Sequence, residues 1–312
     1  MKRIAFALAT VLLVCSSLLA QRSNPFAERM NLSAQRPGTP SSSYDFVDIP
    51  YPHDSFDQLL GINNFGYVAG YHGAVINKGF TLILTEDCPP SCDFLPENYP
   101  GSVQTQVIGI NNDSNTETAG FWIDKAGTNH GFLRNSKAWT AVDYPGTTFN
   151  QLLGLNDNNV AAGYYQDGIG DFHPYIYSQP GNSFVPLYIP GSNSAQATGI
   201  NDSGVIVGFY LDNEGVSHGF ELSPTFTALN YPGSTSTQAL GINNYGGIVG
   251  SFTDTEGATH GFLYYLGTWT QLDDPAGVGL TITNGIDDFF VIVGFINFSS
   301  TVNTGFVAYP AD

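Results

Sequence analysis

The chain has 312 residues, with 27 Asp and Glu against 9 Lys and Arg, which gives a formal net charge of −18 at pH 7. No Lys or Arg follows Lys137, and Arg134 is the only arginine after residue 36. This composition argues against nucleic acid as a partner, because no basic surface is present to neutralise phosphates. It also argues against enzymes that clamp an anionic substrate with several arginines, sialidases among them.

The first twenty residues have the pattern of a signal peptide. Lys2 and Arg3 precede the apolar run 4–14, and the segment Ser-Ser-Leu-Leu-Ala at 16–20 fits a cleavage site before Gln21. That run is too short to span a membrane, and no later segment is long and apolar enough. A lipoprotein anchor at Cys15 fits less well, because Val14 is not a small residue. We therefore expect a secreted protein, extracellular or periplasmic, without a membrane span.

Residues 21–43 are rich in Ser, Pro, Asn and Arg without periodicity, which is typical of a flexible leader. The remaining residues, 44–312, have the length of one domain. If residues 1–20 are removed, two cations and no anions are lost, and the formal charge becomes +7 − 27 = −20. The simplest reason for this acidity is solubility outside the cell.

One motif recurs through the domain, Gly-Ile-Asn or a close variant, at steps of 42 to 48 residues. The repeated glycines are Gly61, Gly109, Gly154, Gly199, Gly241 and Gly285. Within the fifth copy, the sequence predicts strands at 238–243, 247–252, 260–265 and 269–273, separated by turn residues. No window shows helical periodicity. A period in the 40s with four short strands predicts an all-β, six-bladed β-propeller with four antiparallel strands per blade.

The two ends of the domain complement each other. The last copy ends after its third strand, whereas residues 44–50 read as an outer strand without a blade of their own. We expect this N-terminal outer strand to complete the C-terminal blade and close the ring, which removes exposed sheet edges. The alternative, an open solenoid, would need capping repeats, and neither end resembles one.

Cys88 and Cys92 lie in an enlarged loop between the third and outer strands of the first blade. In an exported protein, two such cysteines indicate a small disulfide loop. A metal site would need two further soft ligands, and none is nearby in the sequence.

Histidines occupy one position of the repeat, at the start of the third strand. They are His130, His173, His218 and His260. Because residues present once per blade are spread around the ring, a structural hydrogen bond to a neighbouring turn of the same blade is favoured over a shared catalytic site.

Glutamines stand three residues before the repeated glycine in five copies: Gln58, Gln106, Gln151, Gln196 and Gln238. If these strands are innermost, the five amides could ring one mouth of the central channel and bind a polar ligand. The alternative is a hydrogen bond between blades, because Gln238 alternates with buried-type residues at 240 and 242.

Asp-x-x-Gly turns follow the second strands. In a propeller these turns lie on the same face as the loops from outer to inner strands, and this face is called the loop face. Candidate binding residues on this face are Asp124, Asp171, His173, Asp212, Glu214, Asp254 and Glu256. Asp171 and His173 form the one local acid–histidine pair. The turns lack the alternating ligands of calcium loops, so no cofactor is expected, with calcium as the one weakly indicated alternative.

The combined Gly-Ile-Asn, Val-Gly and His-Gly-Phe pattern resembles the bacterial extracellular repeats named HAF for a His-Ala-Phe motif. The resemblance covers nearly all of 44–312, although Gly131, Gly219 and Gly261 stand where the motif has Ala. It implies an exported bacterial protein and implies no known activity.

Three functions remain open from the sequence. The first is an exported, non-catalytic, monomeric propeller that binds a glycan or an extracellular protein through its loop face. The second is a carbohydrate-active hydrolase or lyase that uses rim carboxylates. The third is a purely structural cell-surface repeat protein. No catalytic residue is identified.

Overall fold

The computed structural model describes residue 40, residues 43–113 and residues 117–311. The predicted signal peptide (1–20) and most of the predicted leader (21–43) lie outside the described residues. Within the described part, six four-stranded antiparallel sheets form the blades of a six-bladed β-propeller, which confirms the predicted fold. The one helical element there is the 3-10 turn Gln179–Gly181. No described helix has the length and apolar character needed to cross a membrane.

The described part of the domain begins with β1 (Tyr44–Asp48), and each blade is then built from the inside outwards. Blade 1 contains β2 (Asp57–Ile62), β3 (Tyr67–His72), β4 (Lys78–Ile83) and β5 (Asp93–Pro96). Blade 2 contains β6 (Gln104–Ile110), β7 (Thr118–Ile123), β8 (Asn129–Arg134) and β9 (Trp139–Val142). Blade 3 contains β10 (Asn150–Leu155), β11 (Val160–Gln166), β12 (Phe172–Ser178) and β13 (Ser183–Pro186).

The second half of the ring repeats this order. Blade 4 contains β14 (Ser194–Ile200), β15 (Ile206–Leu211), β16 (Ser217–Ser223) and β17 (Thr225–Leu229). Blade 5 contains β18 (Ser236–Ile242), β19 (Ile248–Thr253), β20 (Thr259–Tyr265) and β21 (Thr268–Leu272). Blade 6 contains β22 (Thr281–Ile286), β23 (Ile292–Ser299) and β24 (Val302–Pro310), followed in space by β1.

The first strand of the chain completes the last blade, as predicted. β1 pairs antiparallel with β24, from Tyr44 opposite Pro310 to Asp48 opposite Phe306. Ile49, directly after β1, is 1% exposed and packs in a core cluster that also contains residues of blade 1. Both ends of the domain are therefore held in one sheet, and the ring has no open edge at this seam.

The repeated glycines let the inner strands meet around the axis. A Cβ atom on Gly154 would lie 2.9 Å from the Cα atom of Gly199 in the next blade, closer than side-chain carbons approach backbone atoms. The inner strand pairing also shifts register just before this glycine, between Leu152 and Gly154. Only glycine permits such a close approach of neighbouring backbones.

The core lies between blades. In the third strand of each blade, one aromatic side chain is completely buried. These side chains are Phe80, Phe132, Tyr175, Phe220, Phe262 and Phe306. Burial of such rings dominates the packing energy of the seams, since a large apolar side chain contributes roughly 1.5–3 kcal/mol when it is removed from water.

Strand direction separates two faces of the ring. The second-to-third turns and the outer-to-inner corners share the loop face, and the inner-to-second turns lie on the opposite face. On that opposite face, the main-chain amide of one residue per blade donates to the Oδ1 atom of its equivalent in the next blade, at 2.6–2.9 Å. The six residues are Asn64, Asn112, Asp157, Asp202, Asn244 and Asp288. The resulting cycle of hydrogen bonds links all six blades around the axis.

Candidate functional site on the loop face

A cavity of about 270 Å³ occupies the axis at the loop face. Four of the five repeated glutamines line it: Gln58, Gln106, Gln151 and Gln196. The structure thus brings these four side chains together at one mouth of the channel. Gln238 is not part of the lining, and its blade contributes Leu240 instead, while blade 6 contributes Asn284.

An aromatic side chain of the second strand stands opposite each of these glutamines. The pairs in register are Gln58 with Tyr71, Gln106 with Phe121, Gln151 with Tyr164, and Gln196 with Phe209. All four rings line the same cavity. The wall therefore alternates amide groups, which form hydrogen bonds, with flat apolar rings.

Two of the amides have a fixed orientation. The Tyr71 hydroxyl donates to Gln58 Oε1 at 2.8 Å, and the Tyr164 hydroxyl donates to Gln151 Oε1 at 2.6 Å. Burial raises the pKa of Tyr71 to about 12 and also raises the pKa of Tyr164, so both phenols keep their protons at neutral pH. Within the described residues, neither Gln58 Nε2 nor Gln151 Nε2 has a protein acceptor, and both side chains line the cavity.

The other glutamines behave differently from one another. Gln106 Nε2 donates to Asn77 Oδ1 of blade 1 at 2.8 Å, which is a hydrogen bond between blades. Gln196 makes no side-chain hydrogen bond to the described part of the protein, although it lines the cavity. One repeat position therefore serves as an interblade tether in one blade and as cavity lining in others.

No charged side chain from the described part of the chain lines this axial cavity. Besides the glutamines and aromatic rings, the wall consists of Leu60, Ile108, Leu153, Thr198, Leu240 and Asn284. A neutral wall of amides and rings suits an uncharged ligand that combines hydroxyl groups with apolar faces, because a charged ligand would lose its hydration without gaining a counter-charge.

Sequence reasoning missed the aromatic half of this site. A signal for it exists, because the residue directly after the second glycine of the repeat is aromatic in five blades. Those residues are Tyr71, Phe121, Tyr164, Phe209 and Phe295, and the fifth blade has Ser251. Strand alternation places this residue opposite the glutamine, on the same face of the sheet.

The aspartates that begin the turns of the loop face form hydrogen bonds within their own turns. Asp212 Oδ1 accepts the main-chain amides of Glu214 at 2.8 Å and Val216 at 2.9 Å, and its Oδ2 lies 3.0 Å from His218 Nε2. The hydrogen bond from His218, followed by those amides, lowers the pKa of Asp212. These carboxylates cap turns and are already paired, so they have little capacity left for a ligand.

The turn that begins at Asp254 repeats this arrangement, whereas the turn at Asp124 repeats only its amide hydrogen bonds, because His130 Nε2 lies 3.7 Å from Asp124 Oδ2. Asp254 Oδ1 accepts the amides of Glu256 and Ala258, and its Oδ2 lies 3.1 Å from His260 Nε2. Asp124 Oδ1 accepts the amides of the equivalent positions at 2.8 and 2.9 Å. Glu214 and Glu256 themselves are exposed at the turn tips.

The second nitrogen of the repeated histidine reaches the end of the outer strand. His130 Nδ1 lies 2.8 Å from Asp143 Oδ1, His218 Nδ1 lies 2.7 Å from Asn230 Oδ1, and His260 Nδ1 lies 3.0 Å from Asp273. Each imidazole thus joins a turn, the third strand and the outer strand of one blade. The three histidines are spread around the rim and do not converge.

In the third blade, the acid that contacts His173 is Asp167. Its Oδ2 atom lies 2.8 Å from His173 Nε2. Asp171 instead donates its main-chain amide to Asp167 Oδ1 at 3.0 Å. The side chains of Asp171 and His173 therefore do not form the acid–histidine pair that their spacing suggested.

Cys88 and Cys92 form a disulfide in the loop between β4 and β5. This loop emerges on the opposite face, away from the glutamines, so the disulfide has no direct part in the axial cavity. Within the described residues, no group of three or more His, Cys, Asp or Glu is arranged to hold a metal ion.

No protein-family model and no curated protein matches the chain. Solved structures match its fold. A TolB-type protein from Agrobacterium tumefaciens has a TM-score of 0.62 at 11% identity, with 88% of this chain and 100% of the other covered. The SapL1 lectin in complex with alpha methyl fucoside has a TM-score of 0.54 at 10% identity, covering 83% of this chain and 94% of the lectin. An Aleuria aurantia lectin variant in complex with Fucα1-6GlcNAc has a TM-score of 0.52 at 10% identity, covering 84% and 93%.

Proposed function

We propose that the protein is an exported, non-catalytic β-propeller that binds a neutral glycan in the axial cavity of its loop face. The observation that carries this proposal is the alternation of four glutamine amides with four aromatic rings around one cavity of about 270 Å³.

The chemistry of a sugar matches such a wall. A sugar ring presents hydroxyl groups at its edge and a C–H surface on its face, so it needs both hydrogen-bonding groups and flat apolar surfaces. Gln58 and Gln151 are held by tyrosine hydroxyls, so their free Nε2 groups are already oriented before a ligand arrives. Such preorganisation lowers the entropic cost of binding.

Two further facts support the proposal. Among the solved structures with the same fold are two lectin complexes that contain fucosides. The N-terminal pattern of residues 1–20 and the resemblance to HAF repeats support export, where glycans are the abundant neutral polymers.

Binding accounts for this geometry better than cleavage does. Hydrolysis of a glycosidic bond commonly uses two carboxyl groups that flank the bond. Among the described residues, no carboxyl group lines the axial cavity, and the carboxylates of Asp212 and Asp254 are occupied by their own turns and histidines. The Asp124 carboxylate accepts two amides of its own turn.

Thermal unfolding across a panel of neutral and charged polysaccharides tests the proposal, with calcium and with EDTA as separate arms. A ligand that binds only the folded state raises the unfolding midpoint, by roughly 5 °C or more when it is present at about 100 times its Kd. We expect a neutral glycan to give this shift without calcium and without release of shorter sugars. A shift only with anionic polysaccharides or only with calcium would contradict the proposal, and release of products would replace it with the hydrolase.

A further inference from the structure

A second cavity, of about 280 Å³, opens on the loop face at the seam between blades 4 and 5. On one side it is lined by 216–218 at the start of β16, and on the other by 230–237, the corner that leads into β18. This seam cavity is separate from the axial cavity, since the two share no lining residue.

The cavity lies where a repeated contact between blades is missing. In four seams, a main-chain hydrogen bond of 3.0–3.1 Å joins the start of a third strand to the next corner or inner strand. Those bonds are Thr105 N to Asn77 O, Asn129 N to Thr148 O, Thr259 N to Gly279 O, and Asn303 N to Ser55 O. At the seam of blades 3 and 4, Phe172 N donates to Ser194 Oγ instead.

At the seam of blades 4 and 5, no equivalent main-chain bond from Ser217 is present among the described residues. The contact there is the Ser217 hydroxyl to Thr237 O, at 3.4 Å. The Ser217 backbone therefore lacks the main-chain bond to the next blade that its equivalents make in four other seams.

The size of the side chain at this repeat position differs between blades. Ser217 is the smallest residue at its repeat position, where the other blades have Asn77, Asn129, Phe172, Thr259 and Asn303. In blade 3, the Phe172 ring packs 5.1 Å from the ring of Tyr164 and 6.0 Å from that of Phe149. The Ser217 side chain occupies less space than any of these residues, and a polar opening of about 280 Å³ is wide enough to hold water or a small ligand.

The lining is polar but uncharged apart from one imidazole. His218 is held by Asp212 and Asn230, and although burial opposes the charged form, these two hydrogen bonds produce a net rise in the pKa of His218. Blades 2 and 5 place Asp143 and Asp273 where this seam has Asn230, whose exposed Nδ2 group remains a donor.

An apolar surface completes the seam cavity. Tyr231 lines it together with Pro232, and the Tyr231 ring is stacked on Phe252 at 3.6 Å between ring centroids, which fixes its orientation. The opening thus offers the Asn230 amide, main-chain groups and hydroxyl oxygens beside a rigid ring, while the hydroxyls of Ser234, Thr235 and Ser236 already donate to other groups of the protein. This combination suits a single polyhydroxylated ring.

We propose that the seam of blades 4 and 5 is a second binding site, specific for one neutral sugar residue and distinct from the axial cavity. The proposal depends on the open seam and on Ser217, and it holds whether or not the axial cavity binds a glycan.

Titration calorimetry of the purified protein with the methyl glycosides of galactose, mannose, fucose and N-acetylglucosamine tests it. Ser217→Phe introduces the bulky residue of blade 3, and Ser217→Asn introduces the residue of blades 1, 2 and 6. Gln196→Leu alters the axial cavity alone. The unfolding midpoint of each variant is measured beside the wild type, so that binding is compared between folded proteins.

We expect at least one methyl glycoside to bind the wild type and Gln196→Leu equally, and to bind both Ser217 variants at least tenfold more weakly. Equal binding by the wild type and by folded Ser217→Asn would overturn the proposal. Loss of binding in Gln196→Leu alone would also overturn it, because the monosaccharide would then occupy the axial cavity. If none of the four glycosides binds, the proposal of a seam site is wrong. That result does not test the axial cavity, which is tested separately with polysaccharides.

Discussion

The main-chain amide of Gly305 donates a hydrogen bond of 2.9 Å to Oδ2 of Asp57, across 248 positions of the chain. Oδ1 of the same carboxyl group accepts the amide of Tyr51 at 3.1 Å. One side chain, 1% exposed, therefore connects blade 6, the corner after β1 and blade 1 at the seam where the ring closes. The equivalent residues of the other blades are neutral: Thr105, Asn150, Ala195, Thr237 and Thr281.

This carboxyl group makes the stability of the ring dependent on pH. Burial raises the pKa of Asp57 from 3.8 to about 7, with the two amide hydrogen bonds opposing the rise and Asp54 and Asp48 adding to it. Between about pH 4 and 7, the folded protein binds a proton that the unfolded chain lacks, so the free energy of unfolding increases as pH falls through 7. The gain should amount to about 2–4 kcal/mol and level off below about pH 4.

Urea unfolding of the wild type and of Asp57→Asn at several pH values from 5 to 8 measures this effect. The substitution introduces the residue that blade 3 has at Asn150, which accepts the Tyr144 amide at 2.6 Å. His218 and His260 also have raised pKa values and stabilise the fold in the same direction, so the difference between the two proteins isolates Asp57. Parallel pH curves for wild type and variant would show that Asp57 does not titrate in this range.

The closing strand β1 should contribute strongly to stability. Ile49→Ala removes buried atoms from the cluster that joins blades 6 and 1, and such a truncation costs about 2–4 kcal/mol. Asp45→Ala, at an exposed position within β1, serves as the control and should change the free energy of unfolding by less than about 0.5 kcal/mol. If circular dichroism melts of the two variants coincide, β1 does not carry the ring closure.

An ion pair between a buried carboxylate and a partly exposed arginine joins blades 1 and 2. Glu97 stands at a repeat position where other blades have an aliphatic residue, such as Val142 or Leu272. Its carboxylate contacts Arg134 Nη1 at 2.6 Å and the Thr118 hydroxyl. Arg134→Met leaves this carboxylate buried without its cation, which should cost about 2–4 kcal/mol. The double variant Glu97→Leu with Arg134→Met should recover most of that loss, because the pair is then replaced by the apolar contact of the other seams.

A double-mutant cycle by urea denaturation quantifies this coupling. The single variant Glu97→Leu completes the cycle. If Arg134→Met and the double variant are equally unstable, the loss comes from packing of the arginine stem against Trp139, 5.1 Å from the guanidinium carbon, and the ion pair contributes nothing.

The sequence predicts the fold well because the repeated residues are ones that the backbone requires, such as glycines where strands meet. The glycines at 154 and 199 indicate where the inner strands of neighbouring blades approach each other. The predicted outer strand at 44–50, which has no blade of its own, indicates how the ring closes. The contacts at individual seams are less predictable, because they join residues that are distant in the sequence. Asp57 accepts a hydrogen bond from a residue about 250 positions away, and the partner of Glu97 is about 40 positions away. The glutamines look equivalent in sequence, yet only the structure separates Gln196, in the cavity wall, from Gln238, outside it.

Equilibrium binding to an array of neutral glycans tests the central claim, that the axial cavity is the binding site, most directly. Three proteins are compared: the wild type, Gln196→Leu in the cavity wall, and Gln238→Leu, the same substitution at the same repeat position outside the wall. Neither glutamine has a side-chain hydrogen bond to lose among the described residues. We predict that the wild type and Gln238→Leu retain the same subset of glycans, and that Gln196→Leu binds this subset at least tenfold more weakly. Equal binding by all three proteins, or no neutral glycan retained by the wild type, would contradict the account.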